Sequence, residues 1–240
     1  MAQDQRLGPG RPLVSVDTVI FTVMEARLHA LVVQRRDGPG EPFAGWWALP
    51  GGFVDIVRDA TLEACARRKL LEKTGIDAPY LEQLGSWGGA TRDPRGWSTT
   101  HAYFALLPAT SLDPDPGGRV ADARWQAIDA ALAPTPLAFD HAEILAGAVR
   151  RLRSKVEYTS LPVYLMAPEF TLSELQGMYE AILGRALEKK AFRTRMLTAG
   201  IIQPVPRMRG GTNRPAQLFR VRPRRGLHFF ARPFGSAGPA

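Results

Sequence analysis

An α+β fold made of two unlike parts is what the sequence predicts, and three observations carry the prediction. Residues 13–128 are dominated by β-branched, alternating runs with one helix among them, and residues 171–222 read as two short helices followed by a hairpin. The charge divides between the same two regions. Residues 1–149 hold 14 Lys+Arg against 18 Asp+Glu, a net of −4, whereas residues 150–240 hold 17 against 5, a net of +12. Such a division is expected where one part approaches a polyanion and the other binds something small.

Residues 1–12, polar and rich in Gly and Pro, read as disordered. Leu13 to Met24 alternates Val14, Val16, Thr18, Ile20 and Thr22 with Ser15, Asp17, Val19, Phe21 and Val23, a strand buried on at least one face. Leu28 to Gln34 is its hairpin partner, and Arg35 to Gly40 turns the chain. Trp46-Trp47-Ala48-Leu49 leads into Pro50-Gly51-Gly52, where missing Cβ atoms let the backbone come close to a ligand. From Asp59 to Lys73 the apolar Leu62, Ala66 and Leu70 recur at helical spacing, and Gly75 stops the helix. Ile76 to Trp87 and Thr99 to Leu107 read as strands, and the loop Arg92 to Trp97 between them borders a pocket. A Pro, Asp and Gly loop, Pro108 to Gly118, precedes a last strand, Val120 to Ile128.

Ala133-Pro134-Thr135-Pro136 closes this body, residues 13–136. A connector follows over residues 137–156, with a helix from Phe139 whose Ile144, Leu145, Ala148, Val149 and Leu152 form an apolar face. Arg150, Arg151, Arg153 and Lys155 crowd its end, where cations complement the helix dipole.

Residues 157–240 form the basic part. Thr171-Leu172-Ser173-Glu174 opens a helix as a capping box, with Leu172, Leu175, Met178, Tyr179, Ile182 and Leu183 on its apolar face. A Gly184-Arg185 turn and a second helix from Glu188 through Leu197 give helix-turn-helix spacing. That second helix carries Lys189, Lys190, Arg193, Thr194 and Arg195 around a seam of Phe192, Met196 and Leu197, so its N-terminal half suits the major groove. Ile201 to Pro204 and Gln217 to Arg222 pair as a β-wing around a Gly-rich basic turn, Arg207 to Asn213. Arg207, Arg209 and Arg214 at its tip suit phosphate or minor-groove contact.

Composition excludes some partners. No apolar run approaches the ~20 residues of a membrane span, no basic amphipathic helix carries a large aromatic face, and the first residues lack a signal-peptide core, so a cytoplasmic chain without membrane contact is expected. The single Cys65 cannot form an internal disulfide and reads as a small core residue. His101 and His141 have no partners at metal-ligand spacing, and no Ser-His-Asp or Cys-His arrangement occurs, so neither a metal nor a cofactor is required.

Pro50 to Asp55, followed by Arg67-Arg68-Lys69-Leu70-Leu71-Glu72-Lys73-Thr74-Gly75-Ile76, resembles a Nudix box with its catalytic groups removed. The family pattern is Gly, five residues, Glu, seven residues, then Arg-Glu-apolar-x-Glu-Glu-x-Gly-apolar, a loop-helix-loop that grips a diphosphate through magnesium. Positions i, i+3 and i+4 share one helical face and would aim three carboxylates at one ion. Anchored on Arg68 and Gly75, those positions hold Lys69, Glu72 and Lys73. Magnesium demands oxygen ligands, which ammonium groups cannot supply. Two such exchanges make the pocket more positive by roughly four charges. The upstream glutamate is missing too: counting forward from Gly52 reaches Arg58, counting back from Arg68 reaches Ala60, and a two-residue insertion in the Ile56 to Ala60 loop reconciles them. Asp59 is the nearest carboxylate, and Glu72 also fits an ion pair with Arg68 or Lys69.

As a whole the chain resembles the Nudix-related transcriptional regulators. Besides the box, the resemblance rests on Leu137-Ala138-Phe139-Asp140-His141-Ala142-Glu143-Ile144-Leu145 and Glu157-Tyr158-Thr159-Ser160-Leu161-Pro162, and it spans about residues 12–230. It implies an N-terminal Nudix-like α/β/α sandwich with a mixed sheet and a C-terminal winged helix. It further implies a homodimer that binds a palindromic operator on double-stranded DNA near genes of NAD synthesis or salvage, and leaves it on binding ADP-ribose or a related nucleotide. In the pocket, Arg68, Lys69 and Lys73 are expected to face the diphosphate with Arg35 or Arg36 helping, beside Gly51, Gly52, Phe53 and Glu72. Trp46 or Phe43 stacks on the adenine, unless Trp46 is a core residue of the sheet. Two other functions fit parts of the sequence: a hydrolase of ADP-ribose or a similar substrate using Asp55, Asp59 and Glu72, and an RNA-binding adaptor, which the lack of aromatic platforms disfavours.

Overall fold

The computed structural model describes residues 11–75, 77–109, 122–128, 136–210, 215–223 and 226–234. A mixed sheet of seven strands forms its first part: β1 (Leu13–Met24), β2 (Arg27–Gln34), β3 (Trp47–Ala48), β4 (Gly51–Phe53), β5 (Tyr80–Gly89), β6 (Ser98–Leu106) and β7 (Asp122–Ala127). Their main path runs β3-β2-β1-β6-β5, with β4 on β1 and β7 on β2. Among the described strands of this sheet only β1 and β6 run parallel, in a register from Leu13↔Ser98 to Phe21↔Leu106, and the other pairs are antiparallel.

Alternation along the strands decides which side each residue serves. Val16, Ile20, Tyr103 and Ala105 face helix α1 (Leu62–Thr74), where Cys65, Ala66 and Leu70 meet them. Val19, Phe21, Val23, Ala102, Phe104 and Leu106 face the opposite way, toward Ile144, Ala148 and Leu152 of helix α2 (His141–Tyr158). This is the expected sandwich. Each large apolar side chain so buried contributes on the order of 1.5–3 kcal/mol.

The α2 side of the core continues without a polar break into the basic part. There a 3-10 turn (Leu161–Leu165) leads to β8 (Phe170–Thr171), α3 (Leu172–Leu183), α4 (Lys189–Thr198), β9 (Ile202–Arg209) and β10 (Ala216–Val221), with strand order β8-β10-β9. This is a winged helix. The capping box is present, since Glu174 N–H donates to Thr171 Oγ1 (3.2 Å) and Thr171 N–H to the Glu174 carboxylate (2.7 Å). Pro204 and Pro206 fall in β9, an edge strand, where a missing N–H costs no ladder bond.

Several boundaries differ from expectation. Helix α1 begins at Leu62 and not Asp59, because Thr61 caps it through Ala64 N–H (3.0 Å) while Asp59 is engaged elsewhere. Helix α2 begins at His141, after Phe139 takes φ of 56° and breaks the helical path. Strand β5 starts at Tyr80, and β9 extends to Arg209, so Arg207 and Arg209 are strand residues and not a turn. The short strands β3, β4 and β8 were not anticipated.

Candidate functional site

A cavity of about 910 Å³ opens at one end of the strands β1, β2 and β6, walled by Arg35, Arg36 and Glu41, by β4 and the residues after it to Arg58, by α1, by the Arg92 to Ser98 segment and by the chain entering α2. Strand pairing explains Gly51: a Cβ there would fall 2.0 Å from Asp17 Oδ1 and 2.5 Å from the Val16 carbonyl. At Gly52, with φ of 149°, a Cβ would lie 3.0 Å from Lys69 Nζ. The two glycines therefore make room for the protein's own Asp17 and Lys69.

Lys69 and Lys73 both line the cavity and are both buried. Arg68 is committed to carboxylates. Its Nε and Nη2 donate to Asp59 at 2.7 and 2.5 Å, and its Nη1 to Glu72 at 3.1 Å. Asp59 also accepts from Asp55 N–H (2.9 Å), and Arg58 reaches Glu72 at 3.4 Å. The Arg68 hydrogen bonds hold the Asp59 carboxyl far below the usual carboxylate range. Burial opposes ionisation of Glu72, but Arg68, Lys69 and Arg58 outweigh it and hold that acid down as well. Burial, assisted by Asp59, pushes the Cys65 thiol up to about 11, so it is a core residue without thiolate character at neutral pH.

At the far wall, Asp17, Arg92, Asp140 and His141 form a buried polar cluster. Arg92 donates to Asp140 through Nε (2.8 Å) and Nη2 (2.6 Å) and lies 3.9 Å from Asp17. His141 Nδ1 accepts from Leu49 N–H (2.9 Å), which leaves Nε2 to carry the proton toward Asp17, 3.5 Å away. Burial works against the Asp17 charge, yet His141, Thr100 and Arg92 together keep its pKa below the ordinary value. Phe139 and Phe53 supply the aromatic walls, with the Arg35 guanidinium 4.9 Å over Phe139 and Arg95 5.0 Å over Phe53. Eight cationic and five acidic side chains line the cavity, an excess of positive charge in the half of the chain that is negative overall.

Trp46 corrects an expectation. It is 44% exposed, lies edge-on to Phe43 at 5.5 Å and lines no part of the cavity, so it is neither a stacking platform there nor a core residue. Positive φ at Phe43 (54°) and Gly45 (72°) turns this stretch outward, and Phe43 packs instead against Phe139 (4.7 Å). Arg35 is partly occupied too, donating to the Pro42 carbonyl and Glu41 at 3.0 Å. Sequence reasoning missed Asp17, Arg92, Arg95, Phe139 and His141 as residues of the cavity wall, although it placed the Arg92 loop beside a pocket.

The second surface is α4. Lys189, Lys190, Arg193 and Thr194 are exposed and share a shallow recess with Glu188 and Leu197. Glu188 caps the helix, accepting from Lys190 and Ala191 N–H at 2.8 and 2.6 Å. Arg195, expected among the DNA contacts, turns inward: it donates to the Pro233 carbonyl (2.9 Å), lies 4.1 Å over the Phe234 ring, and burial lowers its pKa. On β9, Arg207 pairs with Glu169 and Arg209 with Glu174, which partly neutralises the wing. Arg214 lies outside the described residues.

Residues 13–148 match the family model for the NUDIX domain, and residues 162–221 match that for the NrtR DNA-binding winged helix domain. The chain belongs to the Nudix-related transcriptional regulators of the NrtR family. It is 48% identical over 220 residues, 92% of this chain and 86% of the relative, to an ADPR responsive transcriptional repressor of Acinetobacter baylyi. Shewanella oneidensis NrtR complexed with a 27mer DNA superposes with a TM-score of 0.82 at 37% identity, covering 92% of this chain and 99% of that one. The NUDIX domain of the same NrtR complexed with ADP ribose superposes with a TM-score of 0.53 at 42% identity, covering 59% of this chain and 89% of that one.

Nudix boxes hold magnesium, and this NrtR-family box does not fit it. Two of the three helical ligand positions carry Lys69 and Lys73, Glu72 Oε1 accepts from both Arg68 and Arg58, and Asp59 is held by Arg68. Among the described residues no group of three His, Cys, Asp or Glu side chains is placed to hold a metal ion.

Proposed function

We propose that this chain is a transcriptional repressor that binds a palindromic operator as a homodimer through α4 and the wing, and leaves it when ADP-ribose or a related nucleotide diphosphate fills the Nudix pocket without being hydrolysed. Genes of NAD synthesis or salvage are its expected targets. The observation that carries this reading is the sign of the pocket: buried Lys69 and Lys73 stand where the family pattern has glutamates, and Asp59 and Glu72 are paired with Arg68. A diphosphate can be held by ammonium groups, whereas activating water for its cleavage needs the metal. The relatives named above support the same reading, one by its ADPR response and another by its complex with DNA.

Hydrolysis is measured on ADP-ribose with magnesium, beside a gel shift on duplex DNA with and without ADP-ribose. The expected outcome is DNA binding relieved by ADP-ribose that is recovered intact. Robust magnesium-dependent cleavage lost in Glu72→Gln overturns the sensor in favour of a hydrolase.

A further inference from the structure

The winged-helix match ends at residue 221, but the chain stays with the domain. Residues 226–234 run back along the end of α2. Ser160 N–H donates to the His228 carbonyl (3.0 Å), His228 N–H to Ser160 Oγ (3.0 Å), Phe230 N–H to the Tyr158 carbonyl (2.7 Å) and Phe234 N–H to the Glu157 carbonyl (2.9 Å). Thr159 and Phe229 form an antiparallel bridge between them.

The same segment grips α3 and α4. Phe234, 7% exposed, stacks on Phe192 of α4 at 5.8 Å and meets Tyr179 of α3 edge-on at 5.0 Å. Arg195 of α4 lies 4.1 Å over Phe234 and 5.4 Å over Phe230. Arg185, between the two helices, joins the Glu157 carboxylate (2.8 Å) to the Phe234 carbonyl (3.1 Å). One short stretch therefore touches the end of the helix that leaves the pocket and the inner side of the helix that faces DNA.

Arg195 shows that this packing is specific. Its Nη1 is buried with no partner among the described residues, an arrangement that surface charge alone would not select. A guanidinium laid on two aromatic faces recovers part of its lost hydration through cation–π attraction.

We propose that residues 226–234 are a strap that sets the orientation of α4 on the end of α2, with Arg195 and Phe234 as positioning residues, so that α2 and the DNA-facing helix move as one body. The proposal rests on α4 being the DNA-facing helix.

The test uses the full chain, ADP-ribose, and a duplex selected from a random pool by the wild-type protein. Operator affinity is measured against salt, with and without ADP-ribose, for Arg195→Met, Phe234→Ala and the volume-keeping Phe234→Leu, which carries the test if Phe234→Ala does not fold. Calorimetry supplies ADP-ribose affinity. The strap variants should bind ADP-ribose as wild type does, bind operator about 2–30-fold more weakly, and lose much of the ADP-ribose effect on DNA affinity. Their log–log salt slope should not change, because no phosphate contact is lost. Arg193→Ala, by contrast, should reduce that slope by about 0.9 per protomer, about 1.8 for the dimer, and keep the ADP-ribose effect.

A reduced slope in Arg195→Met would make Arg195 a DNA contact and overturn the strap. So would variants that melt earlier but keep both operator affinity and the ADP-ribose effect. An unchanged slope and affinity in Arg193→Ala overturn the placement of α4 itself, and the strap with it.

Discussion

Neutralising Lys69 isolates the metal-free grip on the diphosphate. Its ammonium is held 3.0 Å from where a Gly52 Cβ would stand, on a stem only 7% exposed, so the charge is fixed in the cavity wall. A hydrogen bond to a charged group contributes about 1.5–3 kcal/mol, so Lys69→Gln should raise the Kd for ADP-ribose roughly 10–150-fold. Lys69→Glu replaces attraction by repulsion of the order of 4 kcal/mol at about 4 Å in an effective dielectric of 20, before relaxation reduces it, and its loss should exceed that of Lys69→Gln. The new carboxylate would also stand three residues from Glu72 on the same face, so magnesium should restore part of the binding. Titration calorimetry at fixed ionic strength, once in EDTA and once in magnesium, reads all of these. Lys69→Gln within twofold of wild type in EDTA, or wild-type binding that vanishes in EDTA, refutes the reasoning.

The Asp59–Arg68 pair should matter for stability. Asp59→Asn leaves a half-buried guanidinium with weaker partners and should lower unfolding free energy by about 1–3 kcal/mol, since Glu72 still holds Arg68; a urea midpoint unchanged from wild type contradicts this. Asp59, Glu72 and Asp17 all have pKa values depressed by folding, so their contribution is complete above the unfolded carboxylate pKa, near 4, and is lost as pH falls below it. Wild type should therefore lose stability steeply below about pH 4, and Asp59→Asn should show a shallower fall; parallel curves would remove Asp59 from the account. Trp46→Ala should leave ADP-ribose affinity within about twofold, because the ring is outside the cavity, and a tenfold loss by calorimetry would restore it to the site. Thr22→Val replaces a fully buried hydroxyl that has no partner among the described residues, and should raise thermal stability by about 1 kcal/mol; a lower melting temperature would place a bonding partner at that hydroxyl.

Some of this was legible in the sequence because the signals are local. Alternation from Leu13 to Met24, the αL stop at Gly75 and the capping box at Thr171 each name their own structure. Strands β3, β4 and β8, two or three residues long, exist only because β2, β1 and β10 pair with them, and no propensity over so few residues reveals that. The pocket's far wall was hidden for the same reason. Parallel pairing of β1 with β6 and the return of α2 bring Asp17, Arg92 and His141 together from distant segments. Arg195 had a readable signal that charge obscured: it stands three residues after Phe192, on the helical face that packs inward, whereas Arg193 and Thr194 point away. Counting cations assigned it to DNA, and helical phase turns it toward Phe234.

Helix α2 joins the pocket to the winged helix domain. Its 18 residues span about 27 Å. At the first turn, Asp140 is held by Arg92, His141 by Leu49 N–H, and the preceding Phe139 keeps a positive φ under the Arg35 guanidinium. At the last turn, the backbone of residues 157–160 is paired with residues 228–234, and the Thr159 carbonyl accepts from Tyr179 Oη (2.9 Å). A ligand shifts a conformational equilibrium only by what it contacts differently in the two conformations. Besides Lys69 and Lys73, the pocket holds two cations engaged by α2's entrance: a diphosphate that recruited Arg92 or Arg35 would draw on the same guanidiniums that fix Asp140 and cover Phe139. Under the proposed strap, a displacement of α2 at its entrance would reach residues 157–160, whose backbone is paired with residues 228–234, because a close-packed interior transmits strain.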